Sequence, residues 1–222
     1  MDAARYSIMG SDYVGVFATA TDRFVFVGSN LTEHNKKILS DNLKAKCIDL
    51  SVSGSNLTGL FSKANSNGII ISNLIEDYEL KNLQKQDMDN INIGVIDSNL
   101  NALGSNILAN DKIAIINTDY TKDEAKQIGD ILGVEVISAE IGNFKTVGAN
   151  NILTNKGLAI NNRSTDSDKE YIDKLTGFDS IRTTANVGSF AIGFCVVANS
   201  NAVVAGDSTT GYELARIVDA LE

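Results

Sequence analysis

The sequence predicts an α/β chain closed into a ring of five modules, with an N-terminal strand completing the last of them. Three observations predict it. A turn motif recurs with a period of about 45 residues, a glycine recurs in the same phase, and a strand-like piece at the start matches a strand missing at the end.

The turn motif reads ANSNGIII from Ala64, ANDKIAII from Ala109, TNKGLAI from Thr154 and ANSNAVVA from Ala198. Its asparagines are Asn65, Asn110, Asn155 and Asn199, and Thr21 in ATDRFVFV holds the same place one period earlier. Gly15, Gly59, Gly104, Gly148 and Gly193 keep the same phase, so residues 1–222 read as one domain of five repeats starting near these glycines. After each glycine a short strand is expected, such as Asn106–Ala109, followed by an Asn/Gly-type hairpin turn. A second, wholly apolar strand comes next: Phe24–Val27, Ile69–Ile71, Ile113–Ile116, Leu158–Ile160 and Ala202–Ala205.

A helix follows in each module. Four starts have the residue types of a capping box, in which a side-chain oxygen and an acid three residues on satisfy free amides reciprocally. They are Asn30 with Glu33, Thr121 with Glu124, Ser167 with Glu170, and Thr210 with Glu213. The remaining start, at Glu79, is preceded by Glu76 and Asp77, which complement the helix dipole. Third strands are expected at Cys47–Val52, Ile91–Ile96, Val134–Ala139 and Ser180–Ala185. The fifth module has none, but Arg5–Met9 is a spare strand. Closure would bring that piece to the last module and remove the exposed ends of a row of repeats.

Composition narrows the function. A net charge of −9 disfavours sequence-independent phosphate binding and suits basic protein partners. The longest apolar run, Phe190–Ala198, is too short to span a bilayer. No signal peptide is visible, and Cys47 and Cys195 read as reduced thiols, so a cytoplasmic location is expected. There is no proline, and turns fall to Gly, Asn and Asp. No phosphate loop, dinucleotide fingerprint, nucleophile elbow or zinc spacing occurs, so neither cofactor nor metal is expected. His34 reads as an exposed helix residue, and Cys195, in the apolar strand GFCVVA, as packing. Asp166, Asp168 and Glu170 alternate like part of a calcium loop, but a helix start explains them better.

The segments GSNLTGLFSKANSNGIII, NALGSNILAND, EVISAEIGNFKTVGANNILTNKGL, TANVGSFAIGFCVVANS and GDSTTGYELARIVDAL resemble the translation initiation factor 6 family over essentially the full length. The resemblance implies the pentein-type five-bladed α/β ring and a binding activity rather than catalysis. Family members block subunit joining by docking on the large ribosomal subunit beside the sarcin–ricin loop, mainly against ribosomal proteins, and in eukaryotes accompany large-subunit maturation. No free nucleic acid and no membrane is implied, and a monomer is expected. The length and lack of a tail look archaeal.

Carried over by position, the ribosome-facing residues are Asn56, Leu60, Ser105, Asn106, Asn150 and Asn186. Lysine at Asn106 or Asn186 is accordingly expected to weaken docking without unfolding the ring. The chain departs from the family at Ser105, where Asn is common, at Leu60, where some members are basic, and at Ser72, Asn117 and Asn161, where prolines are usual. Two other readings stand beside this one. The same ring hosts guanidine-modifying hydrolases and transferases with a Cys nucleophile and a His, and a repeat ring can scaffold some other protein.

Overall fold

The computed structural model describes residues 1–89 and 91–222. It is a five-bladed pentein-type propeller of five three-stranded sheets. In each sheet the central strand pairs antiparallel with the strand before it and parallel with the strand after the helix, as Phe24–Val27 does with Ala18–Ala20 and Lys46–Asp49. The next blades follow the same plan on Gly68–Ser72, Ile113–Ile116 and Leu158–Asn161.

The last blade closes the ring. Ala202–Ala205 pairs antiparallel with Val196–Ala198, and its third strand is Asp2–Arg5, in register from Asp2 opposite Ala202 to Arg5 opposite Ala205. The N-terminal strand therefore lies earlier than the expected Arg5–Met9. The chain leaves the sheet because Ile8 bridges Ser11 around a tight turn in which Met9 and Gly10 have φ of 54° and 76°, outside the strand region.

The same turn trims other expected third strands. Val52 bridges Ser55 and Ala185 bridges Ser189, so these strands end at Asp49 and Thr183. Before each first strand lies a single helical turn that the sequence does not announce: Val14–Val16, Thr58–Phe61, Leu103–Asn106, Val147–Asn150 and Ile192–Cys195. Asn106 thus ends a helical turn instead of starting a strand. Cys195 does likewise, not lying within the expected strand.

The caps hold at Thr121/Glu124 and Thr210/Glu213 and shift elsewhere. Thr165 with Asp168 replaces Ser167 with Glu170, because the earlier pair already satisfies the first free amides. Thr32, not Asn30, caps the first helix by accepting from the Asn35 amide at 3.3 Å. The second helix starts at Asp77, with the Glu79 carboxylate accepting from the Glu76 amide at 2.9 Å.

The apolar core lies between blades. Val25, Val27, Leu39 and Leu43 of the first blade pack with Val197, Ala202 and Val204 of the fifth. Phe26 and Ile48 pack with Ile69 and Leu83, and Ile70 with Ile107, Ile116 and Ile128. Ile115 and Ile141 pack with Leu158 and Ile172, and Ile152 and Ala159 with Val203 and Ile217. Each central strand is buried on both faces, which is why it reads as an unbroken apolar run rather than an alternating one. A blade taken alone would expose these faces, each large aliphatic side chain forgoing about 1.5–3 kcal/mol of burial.

Candidate functional site

The ring has two unlike ends. At one, the five helical turns bring Gly15, Gly59, Gly104, Gly148 and Gly193 into a circle of backbone contacts. A Cβ on any of them would come closer than 3.0 Å to the carbonyl oxygen of the glycine in the preceding blade, and Gly15 meets Gly193 in the same way. Only hydrogen fits between successive blades here.

At the other end lie the hairpin turns. The Asn65 side-chain oxygen accepts from the Asn67 and Gly68 amides, both at 3.0 Å, closing its own turn. Its amide donates to Asn110 O in the next blade at 3.0 Å and to Leu132 O at 2.8 Å, capping that blade's helix. Asn199 repeats the device across the closure, donating to Thr21 O and Leu43 O at 3.0 and 2.9 Å. In the fourth blade the turn residue is Thr154, not Asn155: its hydroxyl accepts from the Lys156 and Gly157 amides. Asn155 instead bridges Asp22 and Asp111 over the mouth of the axial channel.

The six residues carried over by resemblance all belong to the glycine end, but the structure divides them. Ser105, Asn106 and Asn150 are 5%, 5% and 3% exposed. The Asn106 amide donates to Ala102 O and its oxygen accepts from the Asn117 side chain at 2.8 Å, while Asn150 donates to Thr146. The Asn106 side chain and the Asn150 amide are thus already partnered inside the ring. Asn186 is half-buried at φ 45°, donates to Asp12 O at 2.7 Å and accepts from the Thr209 hydroxyl. Lysine at Asn106 or Asn186 would break these bonds, so either substitution perturbs the ring itself as well as the surface it presents. Asn56 and Leu60 are partly exposed.

What the glycine end presents outward is a set of turn tips the sequence reading missed. Met9, Tyr13 and Val187 are exposed at 63%, 48% and 72%, unusual for side chains of this size. The x-Gly pairs Met9-Gly10, Ser53-Gly54 and Val187-Gly188, with positive φ at every member, were the available signal. Helices start at this end, and their first turns place Glu33, Asp77, Asp123, Asp166 and Glu213 there. Arg23, Lys44, Lys46, Lys112 and Lys156 lie toward the turn end, on hairpins, a helix C-terminus and the start of a third strand. Acids thus open the helices at the glycine end, while the turn end carries both signs, with Asp89, Asp2 and Asp87 paired to Arg23, Lys44 and Lys46.

At Asn117 and Asn161, where the resemblance leads one to expect proline, backbone amides donate to Asn106 O at 2.9 Å and to the Asn151 side chain at 3.0 Å. Proline at either would forfeit a buried hydrogen bond here.

Burial holds both thiols in the neutral form. Burial pushes the Cys195 thiol up to about 11 and the Cys47 thiol up to about 11. His34 is exposed on the first helix, Glu33–Leu43. A disulfide reagent at pH 7 is therefore expected to label folded protein at least about tenfold more slowly than urea-unfolded protein. Stoichiometric labelling at the unfolded rate would contradict the burial of the thiols.

The family model described as "eIF-6 family" matches residues 3–220. Translation initiation factor 6 of Thermococcus onnurineus is 38% identical over 225 residues, spanning 100% of this chain and 98% of its own. That of Picrophilus torridus is 34% identical over 217 residues, spanning 98% of each. That of Methanocaldococcus jannaschii is 37% identical over 216 residues, spanning 96% of this chain and 94% of its own. Among the described residues, no helix is long and apolar enough to cross a membrane.

Proposed function

This chain belongs to the eIF-6 family, and from that premise we propose that it binds the large ribosomal subunit and so prevents association with the small subunit. The observation that carries the reading is the family match over residues 3–220 together with relatives named translation initiation factor 6. The mechanism is occupancy: a rigid ring seated on the joining face excludes the small subunit, and no bond is made or broken. We read residues 1–222 as one domain acting as a cytoplasmic monomer without catalysis.

The docking face is the glycine end. Its acidic helix starts suit basic ribosomal proteins, and complementary charge raises the rate of encounter. Its exposed tips, Met9 and Val187, supply apolar anchors flanked by Asn56, Leu60 and Asn186. Ser105, Asn106 and Asn150 serve this face from behind by shaping the helical turns.

Co-sedimentation with purified archaeal large and small subunits, followed by a subunit-joining profile, tests the function. Binding to the large subunit alone with loss of joined particles is expected, and absence of binding over a range of salt would overturn it. The double substitution Met9→Glu with Val187→Glu is expected to weaken binding about tenfold or more while leaving the melting temperature unchanged. Unchanged binding by that variant would move the docking face elsewhere.

A further inference from the structure

At the glycine end, the fourth and fifth blades meet through two phenylalanines. Phe144 stands four residues before Gly148 and Phe190 three before Gly193, and no other blade has an aromatic ring at either place. Their rings stack with centroids 5.0 Å apart and planes 11° from parallel, and both are half-buried. Arg163, two residues before the helix cap Thr165, lies over them. Its Cζ is 4.0 Å from the centroid of Phe190 and 5.8 Å from that of Phe144. The equivalent positions, two residues before Thr32, Glu76, Thr121 and Thr210, hold Asn30, Leu74, Asp119 and Ser208, none of them basic.

The other arginines all have acceptors. Arg23 and Arg182 reach Asp89 at 3.0 Å and Asp166 at 2.7 Å, while Arg5 and Arg216 donate to Thr209 O and Arg182 O. Arg163 is exposed, and among the described residues its guanidinium meets neither a carboxylate nor a carbonyl. Stacking on a ring face uses none of the N–H donors at the guanidinium edge. The same stacking restricts the side chain, so part of its ordering precedes the arrival of any partner. The phenylalanine pair by itself joins the two blades and needs no cation to do so.

We propose that Arg163 anchors the docking face by taking a carboxylate of a large-subunit protein, an Asp or Glu side chain or a terminal carboxyl, in a bidentate pair. The inference rests on the ribosome-binding function proposed for this face. The platform is continuous with the rest of that face, since Phe190 directly follows the turn that presents Val187. Charge selects the partner. The helix beginning beyond Arg163 opens with Asp166, Asp168 and Glu170, and a nucleic-acid strand would bring a phosphate toward them with every nucleotide. One cation inside an acidic rim matches instead one carboxylate inside a basic protein surface, a pattern that fixes register as well as attraction. A planar guanidinium held on aromatic rings is also the composition of an interface hot spot.

Co-sedimentation of variants of the full chain with purified large subunits tests this. Arg163→Ala is expected to weaken binding about tenfold or more, and Arg163→Lys to weaken it less, since an ammonium keeps the charge without the planar fork. The melting temperature of either should fall by no more than about 2–4 °C, because the phenylalanine stack remains. A larger fall accompanied by weaker binding would make Arg163 a residue of the ring and overturn the anchor. Arg163→Ala binding as well as a parent that binds overturns this inference alone, whereas a parent that binds no subunit overturns the proposed function with it. The partner is read from the Arg163→Lys complex. A water-soluble carbodiimide condenses the amine at position 163 with a carboxylate in contact with it, forming an amide while the carbodiimide takes up the water and leaves as the urea. Mass spectrometry is expected to find position 163 joined to an Asp, a Glu or the C-terminus of a large-subunit protein. No such junction in a complex that binds, or a cross-link from that position to ribosomal RNA under ultraviolet light, overturns the carboxylate.

Discussion

Gly104→Ala is expected to destabilise the protein by about 3 kcal/mol or more, lowering the melting temperature by about 6–12 °C. The new Cβ would lie closer than 3.0 Å to the Gly59 carbonyl oxygen and 2.9 Å from Ser62 O. Both are backbone atoms, so no side chain can rotate away. Relief requires the second blade's helical turn to retreat, but that turn is pressed against Gly15 in the same manner, and the circle returns through Gly193 and Gly148 to Gly104 itself. The strain has no free end. Gly211→Ala is the control: nothing lies within 4 Å of its Cβ, and it opens the last helix, so alanine should be neutral or add up to about 1 kcal/mol through helix propensity. Urea unfolding of both variants measures the difference. A Gly104→Ala protein within about 0.5 kcal/mol of the parent would mean that the glycine circle is not the tight closure described.

Glu213→Ala is expected to cost a similar amount, about 3 kcal/mol or more, by a different route. The Glu213 carboxylate is 6% exposed. It accepts from the Thr210 amide at 2.8 Å, the Gly188 amide at 2.8 Å, the Val187 amide at 3.2 Å and the Thr184 hydroxyl at 2.7 Å. One side chain therefore caps the last helix and pins the turn that presents Val187. Burial by itself would raise its pKa, but the bonds from Thr210, Thr184 and Gly188 outweigh that and hold the carboxyl down at about 2. The folded state thus binds this proton later than the unfolded chain, whose ordinary value is 4.5. The stabilisation, about 3 kcal/mol, is fully present above the unfolded value and is lost as pH falls through the folded one. Most of the advantage of the parent over Glu213→Gln should accordingly disappear between pH 6 and about pH 3. A constant difference across that range would mean the carboxylate charge is not what holds the turn.

The same comparison shows where residues spoke plainly and where they did not. Glu213 was legible as a cap partner of Thr210, because a capping box is local and its spacing is written in the chain. Its grip on Val187 and Gly188 was not, because those residues lie 26 and 25 positions away and meet it only after the sheet has formed. Asn155 was misleading for a related reason. An Asn and a Thr can each close the turn, so composition alone allowed either, and the hydrogen bonds assign the turn to Thr154. The candidate surface suffered most. Asn106 and Asn150 have the polar character of a contact residue, and nothing local shows that their groups are consumed by Ala102, Asn117 and Thr146. Met9 and Val187 look like core residues until the turns around them are forced into positive φ.

The sequence by itself determined the number of modules, the order of strand and helix within each, and the need for the N-terminus to complete the last blade. These follow from periodicity and from the apolar central strands, properties that each repeat carries in its own residues. The tertiary structure alone decided which strand residues pair at the closure, why five glycines recur, which polar groups reach the surface, and that Lys63 lines the axial opening. The glycine circle and the closure depend on residues about 45 or more positions away, whereas Asn106 and Asn150 are consumed by partners in their own module that come together only when the helical turn forms.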